Sequence, residues 1–125
     1  MGHAALERGI AQAQRLELVD SAVRLVVVTG EPGAHVASTR RRIEEQYGAR
    51  CVDVYWLAEL GVVGWDCLAQ DDAIHLNEDE FEIEVVESEL IVTPRAESAM
   101  RLGRYRTGDV VSLAAGACAC GRSLV

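Results

Sequence analysis

Hydrophobic positions change their spacing twice along this chain. Leu6, Ile10, Ala13 and Leu16 to Leu18 recur at roughly helical intervals, and one apolar stripe of that period predicts a helix. Arg24 to Thr29 follows as a short β-branched run ending in Gly30, which reads as a strand. After the turn Gly30-Glu31-Pro32-Gly33, Ser38 or Thr39 is placed to cap a helix running through Ile43 to Tyr47. Gly48 would end it before a second apolar run, Cys51 to Tyr55. Strand, helix, strand is a βαβ unit, and a right-handed crossover makes the two strands parallel neighbours. Ligand space in such a unit lies beyond the C-terminal ends of the strands, here Thr29-Gly30-Glu31 and Tyr55 to Glu59.

From Phe81 onward the period becomes two. Phe81, Ile83 and Val85 alternate with Glu82 and Glu84, as in a strand with one wet face. Glu89 to Thr93, closed by Pro94, and Asp109 to Leu113 predict two more strands. The expected fold is mixed α/β: a βαβ unit with parallel strands, then a small antiparallel sheet or partial barrel. One domain over 1–125 is expected, with a helix and parallel-strand half at 1–63 and an antiparallel half at 64–125. The acidic run Asn77 to Glu82 lacks the ordered ligand positions and central glycine of a calcium loop and reads as a solvated face.

Composition narrows the function. A chain of 125 residues at 50% hydrophobic content suits one compact core. All twelve basic residues are arginines, set against twenty Asp and Glu, for a formal net charge of -8. That charge repels phosphate backbones and anionic lipid, so neither nucleic acid nor a membrane is an expected partner. Met1-Gly2-His3 opens a mixed polar segment with no long apolar run, so no signal peptide or membrane span is expected, and a cytoplasmic location is. In that compartment four cysteines are thiols or metal ligands rather than disulfides.

Their spacing offers a specific chemistry. Cys67 stands eight residues before His75, and Cys118 and Cys120 form a tight pair near the C-terminus. Three thiolates and one imidazole match the tetrahedral ligand set of structural zinc, a closed shell with no place for a reacting water. The competing reading is equally direct: small core cysteines, and a half-buried histidine between Ile74 and Leu76. Spacing alone leaves both open, because the usual Cys-x2-Cys pairs are missing.

A longer set of residues decides more. Arg104-Tyr105-Arg106-Thr107-Gly108-Asp109 is followed by Cys118-Ala119-Cys120-Gly121-Arg122, and preceded by Gly30-Glu31-Pro32, Asp53-Val54-Tyr55, Glu59, Cys67 and His75-Leu76-Asn77-Glu78-Asp79. In this order, from about Leu25 to Arg122, the chain resembles the phenylacetate-CoA ligase family of adenylate-forming, AMP-producing acyl-CoA ligases, specifically the middle, zinc-bearing part of such an enzyme. The resemblance implies that Cys67, His75, Cys118 and Cys120 hold zinc. It aligns Asp109 with the carboxylate that binds the ATP ribose, Arg122 with an arginine supporting ribose and phosphate, and Tyr55 with the aromatic residue on the adenine. Glu31 and Pro32 align with the loop lining the base, and Glu59 with the carboxylate near magnesium.

Departures from the family pattern matter as much. The family's Tyr-Gly-x-Ser/Thr-Glu string stands here as Tyr55-Trp56-Leu57-Ala58-Glu59. Trp56 replaces a glycine that permits close backbone approach, and Ala58 removes a hydroxyl aimed at phosphate. The family's upstream phosphate loop, lid domain and lid lysine have no counterpart in these 125 residues. The expectation is a truncated, zinc-binding accessory or binding module without autonomous ligase activity. The alternative is an enzyme that retains a nucleotide and acyl pocket, or one piece of a split ligase using ATP and magnesium. Either way, uncovered parallel strands lead to an expected homodimer or partner protein. The acyl substrate is not identifiable from the residues present.

Overall fold

Leu25–Thr29 forms strand β1, whose positions alternate between exposed and half-buried. In the computed structural model the described residues are 8, 22–30, 36–67, 69, 73–96, 102–114 and 116–122. The helix expected over Leu6 to Leu18 lies outside them, Arg8 excepted, as do Glu31 and Pro32, which the resemblance would place along the base. Helix α1 spans Ala37–Tyr47, and β2 spans Arg50–Leu57. β1 and β2 pair in parallel from Leu25↔Arg50 to Thr29↔Val54, the arrangement expected of a βαβ unit. Val26 and Val28 turn toward α1, where Ile43 and Cys51 are each 1% exposed. Gly48 ends the helix in the left-handed conformation, φ 59°, its N–H donating to the Glu44 carbonyl. The start differs from expectation. Val36 is the N-cap and makes no side-chain cap bond, so Ser38 and Thr39 fall inside the first turn, Thr39 with its side chain buried.

The chain then doubles back. β3, Gly61–Asp66, pairs antiparallel with β2, and β4, Ile74–Leu76, pairs antiparallel with β3, giving a four-stranded sheet in the order β1-β2-β3-β4. A bulge between Tyr55 and Trp56 shifts the β2–β3 register. The second sheet is an antiparallel meander of β5 (Phe81–Val86), β6 (Glu89–Pro94) and β7 (Tyr105–Val110). Glu87 and Ser88 turn the β5–β6 hairpin with φ of 51° and 68°, as a two-residue hairpin with both central residues left-handed requires. The boundary between the sheets therefore falls at 77–80. β7 begins at Tyr105, four residues earlier than the pattern suggests. Its charged residues do not read as a strand, but Arg106 pairs with Glu89 across the ladder and stays in solvent.

Val63 of the first sheet and Phe81, Leu90 and Val92 of the second form one buried cluster, with Tyr55, Leu57, Leu60 and Leu76 packed on it. Burial of this kind contributes roughly 1.5–3 kcal/mol per large side chain, so this cluster contributes strongly to holding the sheets together. No helix among the described residues is long and apolar enough to cross a membrane.

Candidate functional site

Strand β3 delivers Cys67 at its end, β4 carries His75, and the turn after Ala117 carries Cys118 and Cys120. Their four ligand atoms lie within 4.8 Å of one another. Cys67 Sγ is 3.3 Å from Cys118 Sγ, and Cys120 Sγ is 3.3 Å from His75 Nε2. With metal–sulfur bonds of about 2.3 Å, neighbouring sulfurs on a zinc tetrahedron sit about 3.8 Å apart, so the four donors bracket the space of a single ion. Cys67, His75 and Cys118 are buried and Cys120 lies at the surface.

Two further features fit a cation here. His75 is 3% exposed and turns Nε2 toward the Cys120 thiol, 3.3 Å away, so Nε2 is the nitrogen placed to reach a metal. Burial, and then the neighbouring Cys118 and Cys120 thiols, push the Cys67 thiol up, only partly offset by the Ala69 N–H. A buried cluster of thiols resists ionising unless a positive charge joins it. The backbone also prepares the site. Gly64 lies on β3 opposite Leu76, and a Cβ there would stand 2.7 Å from the His75 carbonyl oxygen. Only glycine lets β4 approach this closely.

A second group forms where the sheets meet. The Tyr55 phenol of β2 donates to Asp109 Oδ2 of β7, and the Tyr105 phenol of β7 pairs with Glu59, just beyond β2. Two reciprocal phenol–carboxylate contacts thus cross between the sheets. Thr107 joins them, its hydroxyl donating to the Leu90 carbonyl and accepting the Asp109 N–H at 3.1 Å. Burial and then the Asp109 bond push the Tyr55 phenol well above its usual range; burial and then Glu59 raise that of Tyr105. Arg122 lies elsewhere, its guanidinium 5.1 Å over the Trp65 ring. Trp65 is paired with His75 across β3 and β4, so Arg122 lies beside the Cys/His cluster.

The residues expected from sequence therefore form two groups: Cys67, His75, Cys118 and Cys120 with Arg122 alongside, and Tyr55, Glu59 and Asp109. Sequence reasoning gave no role to Tyr105, Trp65 or Gly64. For Tyr105 the signal was its place inside the Arg-Tyr-Arg-Thr-Gly-Asp string.

Comparison with known proteins bears out the family resemblance. Phenylacetate-coenzyme A ligase of Thermus thermophilus is 33% identical over 101 residues, 69% of this chain and 22% of that protein. This chain is a partial relative of the phenylacetate-CoA ligases. The Pseudomonas putida phenylacetate-coenzyme A ligase is 28% identical over 119 residues, 84% of this chain and 27% of that protein. The chain thus spans about a quarter of the length of these phenylacetate-CoA ligases. No protein-family model matches it. An open 2-hydroxyisobutyryl-CoA ligase, in complex with 2-HIB-AMP and CoA, superposes with a TM-score of 0.84 at 20% identity, covering 99% of this chain and 33% of that one. The fold is that of part of an acyl-CoA ligase.

Proposed function

We propose that this chain is a zinc-stapled binding or accessory module on a phenylacetate-CoA ligase scaffold. Zinc is the metal that three thiolates and one imidazole in a compact buried cluster suit best. Such an ion has a closed shell: it supplies charge and cross-linking, and the chain's residues would hold it through Cys67 Sγ, His75 Nε2, Cys118 Sγ and Cys120 Sγ. The reading of the second group rests on one observation. The described polar and charged residues matched to nucleotide contacts each have a partner within the protein: Asp109 has Tyr55, Glu59 has Tyr105, and Arg122 has Trp65. These contacts support a role in tying the sheets and the metal turn together.

Isothermal titration with magnesium-ATP and with AMP tests this. No saturable heat is expected up to about 1 mM ligand, an affinity of about 4 kcal/mol. Saturable binding that Asp109→Asn abolishes would overturn it. It would favour the second reading, an enzyme or split-ligase piece that uses ATP, magnesium and an acyl substrate, which the gathering of Tyr55, Glu59 and Asp109 supports.

We further propose a homodimer or a partner protein. Leu25 and Val27 on the face of β1 away from α1 are 53% and 56% exposed, and β1 is the edge of its sheet among the described residues. An apolar face beside an open edge favours association. Light scattering on the eluting protein should give more than one chain's mass; a monomer at all concentrations, with no partner co-purifying, would count against it.

A further inference from the structure

A buried ion pair lies one residue from the metal cluster. Arg40 of α1 reaches Asp66 Oδ2 of β3 at 2.7 Å, with side-chain exposures of 14% and 6%. The same guanidinium donates to the Cys51 carbonyl of β2 at 3.0 Å, and the same carboxylate oxygen accepts the Asp53 N–H at 2.6 Å. The β2–β3 ladder ends at Val54↔Trp65, so the Asp66 side chain supplies the acceptor that the departing β3 backbone no longer offers. A buried N–H needs such an acceptor, and a buried carboxylate needs a charge partner. Arg40 meets the second need and ties the arrangement to the helix.

The next residue is Cys67. Among the described residues its backbone N–H donates to the Ala73 carbonyl at 3.3 Å, and the Ala69 N–H reaches its sulfur at 3.4 Å. Arg40, Glu44, Cys51 and Cys67 line one hollow between α1 and the metal cluster. The point at which the chain leaves β3, and so the direction in which Cys67 Sγ points, is fixed from the helix side.

We infer that Arg40 and Asp66 are positioning residues for the metal centre, a clamp that aims Cys67 at the ion from outside the ligand shell. The inference rests on the zinc reading above. Outer groups that orient a ligand typically change metal affinity by about 10–100-fold. Zinc affinity, measured on the purified chain by competition with a chromophoric chelator, should fall about tenfold in Arg40→Met and in Asp66→Asn, with the cobalt-substituted protein showing an altered absorption band. Arg40→Lys, which keeps the charge but not the fork, should fall between these and wild type and covers the case in which a harsher variant does not fold. Ile43→Val, which loosens the same helix without touching the clamp, should lower the melting temperature and leave zinc affinity unchanged. If Arg40→Lys and Asp66→Asn lower only the melting temperature, as Ile43→Val does, the clamp is merely structural and the inference fails while the zinc centre stands. If wild type takes up no zinc, the zinc reading fails and the inference with it.

Discussion

Removing the metal should free the C-terminal turn and leave the sheets folded. Residues 116–122 carry two of the four ligands. The Cys118 N–H donates to the Arg122 carbonyl at 2.8 Å and the Gly121 N–H to the Cys118 carbonyl at 2.9 Å, both within the turn. Among the described residues, Arg122 over Trp65 at 5.1 Å is a further tie to the first sheet besides the ligand cluster itself. A cation–π contact at the surface is worth about 0.5–1 kcal/mol, a factor of about five or less in the closed-to-open ratio. Structural zinc contributes of the order of 10 kcal/mol in small zinc-binding peptides, enough to bring the turn up to the stability of the whole fold. Chelation, or Cys118→Ser, should therefore reduce hydrogen-exchange protection at Cys118 and Gly121 to within about tenfold of an unprotected amide. Amides of β5 and β6, held by the cluster of Phe81, Leu90 and Val92, should keep most of theirs. Equal protection of the turn with and without chelator would refute the staple. Simultaneous loss throughout the chain would show that the metal holds the sheets as well, and that the apolar contact between them is weaker than its burial implies.

Three further outcomes follow from packing and charge. Leu90→Ala, at a site 1% exposed in the contact between the sheets, should cost about 2–5 kcal/mol in urea unfolding; a loss below about 1 kcal/mol would mean that the sheets are joined elsewhere. Gly64→Ala should cost about 1–3 kcal/mol and weaken zinc binding, because its Cβ would press on the His75 carbonyl; undiminished zinc affinity would show that β4 can yield without moving the ligand. Burial, partly offset by Arg40, raises the Cys51 thiol from its usual 9 to about 11. Because the folded value is the higher one, the stabilisation is present below pH 9 and is lost as pH rises toward 11, about 2 kcal/mol over that window. Denaturation series should show this decline in wild type, and a shallower one in Cys51→Ala.

The parallel pair and its helix were legible because each carries one clear pattern: two β-branched runs, an amphipathic stretch between them, and a glycine where the left-handed cap is needed. β3 and β4 were not. β3 contains Gly61 and Gly64, which weaken any strand pattern, and β4 is three residues long. Both build outward from the second edge of β2, and the β3–β4 register, with Trp65 opposite His75, brings Cys67 just past β3 near His75. The start of β7 was hidden by arginines whose charges are met across the ladder and the adjoining turn, by Glu89 and Glu84. The four candidate ligands came from the family resemblance, since their spacing alone left a metal site and ordinary core cysteines equally open; the fold then gathers their ligand atoms within 4.8 Å. The crossed contacts of Tyr55 with Asp109 and Tyr105 with Glu59 were not legible, because they join residues about fifty apart on two different sheets. Only the fold brings them together. The Arg40–Asp66 clamp was hidden for the same reason, since an arginine in a helix and an aspartate at a strand end look solvent-facing until the packing is known.

Zinc K-edge absorption on the protein as purified tests the central claim most directly, because it counts and identifies the ligand atoms themselves. One zinc per chain is expected, with three sulfurs near 2.3 Å and one nitrogen near 2.0–2.1 Å, the nitrogen being lost in His75→Ala. A protein without zinc, or a shell containing water or carboxylate oxygen in place of a thiolate, would contradict it.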